Sequence, residues 1–368
     1  MWGMQSGLQK FKMAGGLGRF ALGAVGFAFM AGLADNAAAA APVGDRGMDA
    51  KQTSERLQFE NANAPDFKEK GGMFGRPKMK TPEEQFVFAE KREQDGSLRS
   101  ATSAFNALIS EWGTSNISQM AQLKVAELYE KRGRYLDSFK EYQYFVEYFS
   151  SAENTHFNDV IAKQFALANS QFSRLEGGFF SAPDPEVVAD MFGKIISNAP
   201  DGEHAAESQF KRGACFENKG DWLDAALAYE KLAARYPDSP LRIDAFYRAA
   251  LARAKLADKY PRDERIMKNA ISGLRIAYRA DPEHSSANEV FEAEKRLYDV
   301  LSKLNFEKAE FYDKIRKNPA AAIIAYNAFL SEFAGSAEAE KARNRMEQLE
   351  TAERVKNEIQ EEKYEQEQ

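Results

Sequence analysis

The side chains best suited to chemistry in this 368-residue sequence are three histidines, one cysteine and two adjacent acidic pairs. The histidines, His156, His204 and His284, lie far apart, each near a predicted helix start or loop. No HxxxH or CxxC spacing occurs. Zinc and catalytic centres need clustered ligands, so capping or surface roles are expected for all three. Cys215 stands alone, which rules out an intrachain disulfide. It sits between Gly213 and Phe216 with no neighbouring histidine, and reads as a small core residue, not a nucleophile. Glu83 with Glu84, and Glu361 with Glu362, are helix neighbours pointing in different directions, as on solvated faces. No glycine-rich phosphate loop follows a strand, because no strand pattern is present. The expectation is a protein that catalyses nothing, with no metal and no cofactor.

Composition agrees with a binding role. Hydrophobic residues make up 44% and charged residues 29%, an ordinary globular balance. The formal net charge is −6, and no Lys/Arg cluster suggests a nucleic-acid face.

The elements that must position any site begin after an amino-terminal segment. Residues 1–41 read as a secretion signal, with a basic start (Lys10, Lys12, Arg19) and an apolar stretch over residues 20–33. That stretch is shorter than the ~20 residues of a membrane-spanning helix, which makes an uncleaved anchor the second reading. Small residues over 37–41 offer cleavage sites. No cysteine lies near Ala41, so an acylated lipoprotein signal is not expected. Residues 42–82 carry prolines and glycines with no sustained periodicity, and read as a flexible linker. From 83 onward the pattern is helical. Residues 337–368 form a charged helical tail with a thin apolar stripe (Met346, Leu349, Ala352, Val355, Ile359), expected to cap the last unit or to fray; a coiled-coil role is less expected.

Between 83 and 336 the sequence repeats. Small residues Ala89, Ala126 and Gly213 mark a first helix. Gly96, Gly133 and Gly220 follow seven residues later in a turn. Leu98, Tyr135 and Trp222 come next, then the small residues Ala101, Ser138 and Ala225 of a second helix, and the aromatics Phe105, Tyr142 and Tyr229 one turn on. Gly113, Ser150 and Pro237 end these units. Small residues belong where two helices cross closely, and glycine suits the left-handed turn between them. Divergent copies bring the total to about six units, with residues 173–184 read as an inserted loop. The pattern resembles the 34-residue tetratricopeptide repeat, which predicts an all-α solenoid of helical hairpins. The dense aromatic stripe Tyr135, Phe139, Tyr142, Phe145, Tyr148 and Phe149 reads mainly as core; the alternative is that part of it lines a groove for apolar peptide segments.

In stacked hairpins the first helices line the concave surface. The positions expected to face outward there are Phe86, Glu90 and Glu93, then Leu123, Glu127 and Glu130, then Phe210, Ala214 and Glu217. They would give an extended peptide apolar anchors and acidic rims, or else form an ordinary solvated face.

Two segments carry a closer resemblance. One is residues 236–241 (YPDSPL) with the following Ala245, Tyr247 and Ala250. The other is residues 309–333, where Ala309, Glu310, Phe311 and Tyr312 precede Ala321, Ala322, Ile323 and Tyr326. They resemble the BamD (YfiO-like) outer-membrane assembly family. The resemblance implies a periplasmic scaffold at the inner face of the outer membrane. It also implies protein partners: unfolded β-barrel precursors at the amino-terminal repeats and a barrel insertase at the carboxy-terminal ones, with Phe311, Tyr312 and Tyr326 in the insertase-contact region. The family's acylated cysteine has no counterpart here, which leaves membrane attachment open; peripheral association through the partner alone is one expectation. The alternatives are a periplasmic adaptor for cell division or envelope maintenance and, in another class, an envelope glycan-cleaving enzyme on a helical-repeat scaffold. The latter would need a paired acid and a sugar-binding domain, and neither is visible.

Overall fold

Thirteen α-helices and one π-helical turn account for nearly all of the described residues, which are 70, 75–113, 115–149, 156–177 and 182–368 of the computed structural model. No strand occurs among them. The signal reading of residues 1–41 and most of the linker reading lie outside the described residues.

The helices pair into six hairpins. They are α1 (Pro82–Gln94) with α2 (Leu98–Trp112), α3 (Asn116–Lys131) with α4 (Tyr135–Phe149), and α5 (Phe157–Glu176) with α6 (Pro185–Asn198). Then come α7 (Ala205–Lys219) with α8 (Trp222–Arg235), α9 (Arg242–Lys259) with α10 (Glu264–Ala280), and α11 (Ala287–Glu310) with α12 (Pro319–Phe333). A long last helix, α13 (Ala339–Gln366), packs on α12. Each helix packs on the next, and first helices of successive units also meet, as α1 does α3, α5 does α7 and α9 does α11. The array is an all-α solenoid of helical hairpins.

Local sequence explains the breaks. Gly96, Gly133 and Gly220 close the first helices of units one, two and four at φ +73°, +70° and +81°, the left-handed region that a side chain strains. Second helices start on caps: the side chains of Asp184, Asp263 and Asn318 accept from the backbone N–H of Glu186, Ile266 and Ala321. Thr81 does the same for Glu84 at the start of α1, with Pro82 in the first turn, where no donor is lost.

The small residues sit at the crossings as the spacing requires. Ala89, Ala101, Ala126, Ser138 and Ala225 are fully buried. Phe105, Tyr142, Phe192, Tyr229 and Tyr326 fill the second-helix positions beside them. The stripe on α4 is core: Phe139, Tyr142, Phe145 and Phe149 are buried, and Tyr135 and Tyr148 pack against them.

The structure differs from the sequence reading at three places. The inserted loop is shorter, because α5 continues through Glu176. The sixth unit's extra length is helical: α11 begins at Ala287 and ends in a π-helical turn, Phe311–Ile315, where the Arg316 N–H reaches the Phe311 carbonyl. The last part of the stretch read as linker lies against the repeats. The backbone N–H groups of Lys78 and Met79 donate to Gln85 Oε1 at 2.9 and 3.1 Å, and Lys70 pairs with Glu141 on α4.

The start of the tail caps the array: Ala339, Ala342 and Leu349 of α13 are buried against the preceding unit. Beyond Leu349 the helix is largely exposed, Val355 and Ile359 of the expected apolar stripe included, and Asn344, Glu347, Gln348, Thr351, Ala352 and Val355 line an open shallow groove.

Candidate functional site

The first-helix residues expected to face a partner fall into three sets of equivalent positions. Phe86, Leu123 and Phe210 lie three residues before the small residue of their unit. The structure turns them toward their own second helix. The Phe86 ring stands edge-on to Phe105 at 5.2 Å, and Phe210 edge-on to Tyr229 at the same distance. Leu123 is likewise half-buried against the core. They are half-buried packing residues of the hairpin, with Phe86 and Phe210 placing a ring edge or face against the second helix. Ala214 is also buried. Glu90 and Glu127 stay partly exposed.

Glu93, Glu130 and Glu217 lie four residues after the small residue. Two of them bind the next unit. Glu93 accepts from Lys131 Nζ at 2.5 Å and lies 3.8 Å from Lys124, both on α3. Glu217 accepts from Arg248 Nη1 on α9 at 2.7 Å. Burial pushes the Glu217 carboxyl up from the usual carboxylate range, and the Arg248 guanidinium pulls it back. Asp258 on α9 holds Arg296 on α11, and Lys211 on α7 donates to Asn169 on α5 at 2.7 Å. The first-helix face is thus laced by links between units, and two members of its expected acidic rim, Glu93 and Glu217, are paired with cations of the neighbouring hairpin. Glu130 lies near the buried Tyr142 phenol and, with Glu127 and burial, helps to raise that phenol's pKa.

A set of buried glutamines escaped the sequence reading. Gln85, Gln122 and Gln209 sit four residues before Ala89, Ala126 and Gly213, where the tetratricopeptide pattern has tryptophan. Each amide donates to a second-helix carbonyl nineteen residues on: Ala104, Glu141 and Ala228, at 3.0, 2.8 and 2.8 Å. Gln164 takes the place in unit three and donates to Gln143 Oε1 at 2.9 Å. The recurring Q-x-x-x-small spacing was the available signal.

At the carboxy-terminal unit, Phe311 and Tyr312 are exposed on the π-helical turn, their rings 5.7 Å apart. Tyr326 differs from expectation: it is 1% exposed and is no contact residue. It packs near Phe306, and its hydroxyl donates to Asp313 Oδ2 at 3.3 Å. Arg345 on α13 grips the same carboxylate with two donors, at 2.7 and 2.8 Å. Its hydrogen bonds hold the Asp313 carboxyl below the usual carboxylate range. Burial and the Asp313 charge push the Tyr326 phenol up to about 12. The aromatic pair therefore stands on a turn clamped between α12 and α13.

The histidines serve locally. His284 accepts from the Ser286 N–H at its Nδ1, so its Nε2 donates to Asp244 at 2.8 Å, and the ring stacks on Tyr247. His204 stacks on Phe165 at 4.2 Å, and His156 precedes α5. Burial pushes the Cys215 thiol up to about 12, far from a nucleophile's range. Among the described residues no three His, Cys, Asp or Glu side chains gather as a metal site, and no helix is long and apolar enough to cross a membrane.

Comparison with known proteins fits the geometry of α7 and α8. Residues 207–239 match the family model for the tetratricopeptide repeat. No curated protein matches the chain significantly. Among solved structures, the chain is similar to the tetratricopeptide domain of P58(IPK): 16% identity, 72% of this chain and 77% of that one, TM-score 0.30. It is similar to a tetratricopeptide repeat protein from Parabacteroides merdae (11% identity, 72% and 98% covered, TM-score 0.26). It is also similar to the TPR2AB domain of yeast Sti1 in its complex with pHSP90 (15% identity, 73% and 96%, TM-score 0.23). At these identities and scores the superpositions say nothing of partners. The chain is a helical-hairpin scaffold that carries a tetratricopeptide repeat at residues 207–239.

Proposed function

We propose that this chain is a periplasmic scaffold that binds other proteins in the assembly and insertion of outer-membrane β-barrels. The observation that carries the reading is the exposed aromatic pair Phe311 and Tyr312, held on a turn fixed by Tyr326, Asp313 and Arg345. Exposed aromatics on a rigid support are apt anchors for a protein interface, since little side-chain entropy is lost on binding. Ile315 on the same turn and Ile324 on α12 add apolar area. The sequence around the turn is the part that resembles the BamD family. In this reading the amino-terminal repeats, where Glu90 and Glu127 stay partly exposed, receive client segments, and attachment to the membrane can come through the partner alone.

The test is affinity capture from envelope extract with the full tagged chain and its Phe311→Ala/Tyr312→Ala variant. Recovery of a barrel insertase by the parent and its loss in the variant is expected. Recovery only of division or glycan-synthesis proteins overturns the assembly reading.

A further inference from the structure

Repeat two holds a primary ammonium group that does not belong to the repeats. Lys70, twelve residues before the start of α1, places its Nζ against the Glu141 carboxylate and 3.9 Å from the centre of the Tyr144 ring. The Lys70 and Glu141 side chains are only 14% and 17% exposed. Gln122 on α3 fixes the receptor: its amide donates to the Glu141 carbonyl at 2.8 Å and to the Glu141 carboxylate at 2.7 Å. An oriented anion and an aromatic face are the two parts that recognise an alkylammonium, and both are worth more when water is excluded. Burial lowers the Lys70 pKa, against the opposing pull of Glu141. Among the described contacts of Lys70, the anion and the aromatic face both come from α4 and the orienting amide from α3, whereas the cation comes from outside the repeats.

We propose that Glu141, Tyr144 and Gln122 form a pocket for a lysine side chain of a bound client segment, which Lys70 fills until a client displaces it. This rests on the reading that client proteins bind these repeats, and it names one feature that a client carries. The amino-terminal segment then acts as a tethered competitor: attached to the same chain, it faces the pocket at high effective concentration, and a client must outbid it.

The experiment uses the full chain and a labelled peptide of this protein's own residues 65–74. The peptide is titrated by fluorescence anisotropy against the parent, Lys70→Met, and Lys70→Met/Glu141→Gln. The expected result is binding to Lys70→Met at least tenfold tighter than to the parent. Glu141→Gln, or methionine in place of the peptide's lysine at position 70, should each lose tenfold or more. Amide hydrogen exchange at Lys70 in the parent, which needs no variant to fold, should speed up when excess labelled peptide is added. Equal binding to the parent and Lys70→Met, equal binding of the lysine and methionine peptides, or no binding to any variant would overturn the proposal. If envelope proteins are still captured in that case, the pocket fails and the scaffold reading stands.

Discussion

Gly213 lies under the ring of Tyr229: a Cβ built at 213 would come within 2.7 Å of the ring's Cε1. The α7–α8 crossing is therefore closer than alanine allows. Gly213→Ala should destabilise the chain by about 1–3 kcal/mol from overpacking, outweighing the ~1 kcal/mol that alanine gains over glycine in a helix. Urea unfolding of the two proteins measures this. An unchanged midpoint would mean that the ring swings aside.

Gly133 makes a different demand. Nothing lies within 4 Å of a Cβ there, but φ is +70°. Gly133→Ala should cost about 1 kcal/mol, and Gly133→Asn less, since asparagine tolerates the left-handed region. Asparagine at 213 should bring no such relief, so the pair of substitutions separates a steric glycine from a conformational one by the same unfolding assay.

The buried Gln209 should respond to shape more than to polarity. Gln209→Ala removes a packed side chain with its bond to the Ala228 carbonyl and should cost about 2–3 kcal/mol, whereas Gln209→Met keeps the volume and should cost about 1 kcal/mol. The carbonyl keeps its helical bond in both. Thermal melting of the two variants side by side would show the gap, and equal losses would mean that the hydrogen bond dominates.

Acid should loosen the last unit through Asp313. Its folded pKa is depressed, first by the Arg345 hydrogen bonds. The stabilisation is complete above the ordinary aspartate value of about 4 and is lost as pH falls through the lowered folded value. Arg345→Met should lower stability at neutral pH by about 1.5–3 kcal/mol and flatten the acid dependence. Urea midpoints between pH 7 and pH 2.5 test both parts. A parent and variant falling in parallel would place the acid sensitivity elsewhere.

Cys215 should be silent in the native protein. With the thiol raised to about 12 by burial, the neutral form prevails at any ordinary pH. The preference is full below the free-thiol value of about 8.5 and is lost only as pH approaches 12. A chromogenic thiol reagent at pH 8 should react at the rate of local opening, and fast once urea unfolds the chain. Fast reaction with the native protein would contradict the buried placement.

The hairpin array was legible because its determinants are local: a small residue, a glycine seven residues on and an aromatic on the second helix recur in register. The facing of side chains was less so. Phe86, Leu123 and Phe210 have the spacing of an outward stripe, yet Phe86 and Phe210 lie on Phe105 and Tyr229 and Leu123 is half-buried against the core. A periodicity reports which residues share a face, not which neighbour that face meets. Tyr326 shows the same limit, since an aromatic in a short motif can be either anchor or core. The glutamines were hidden by their type, being polar residues where burial needs a partner nineteen positions away. Lys70 could not be found from pattern at all, because its pocket is made by residues more than fifty positions later.

The apolar interior changes character along the array. One cluster runs from Ala89 to Cys215, another from Tyr247 to Leu349, and between them lies a smaller one built on Ala225, Ala226, Tyr229, Leu232, Ala245, Ala249 and Ala252. Phe216 packs against both the first cluster and the small one, so the interior carries on across the boundary. Alanine methyls let α8 and α9 lie close, and the Glu230–Arg253 pair joins the two helices at their edge. What this junction asks of a residue is thinness more than apolarity: a leucine there would be nearly as unwelcome as a charge, because neither finds room.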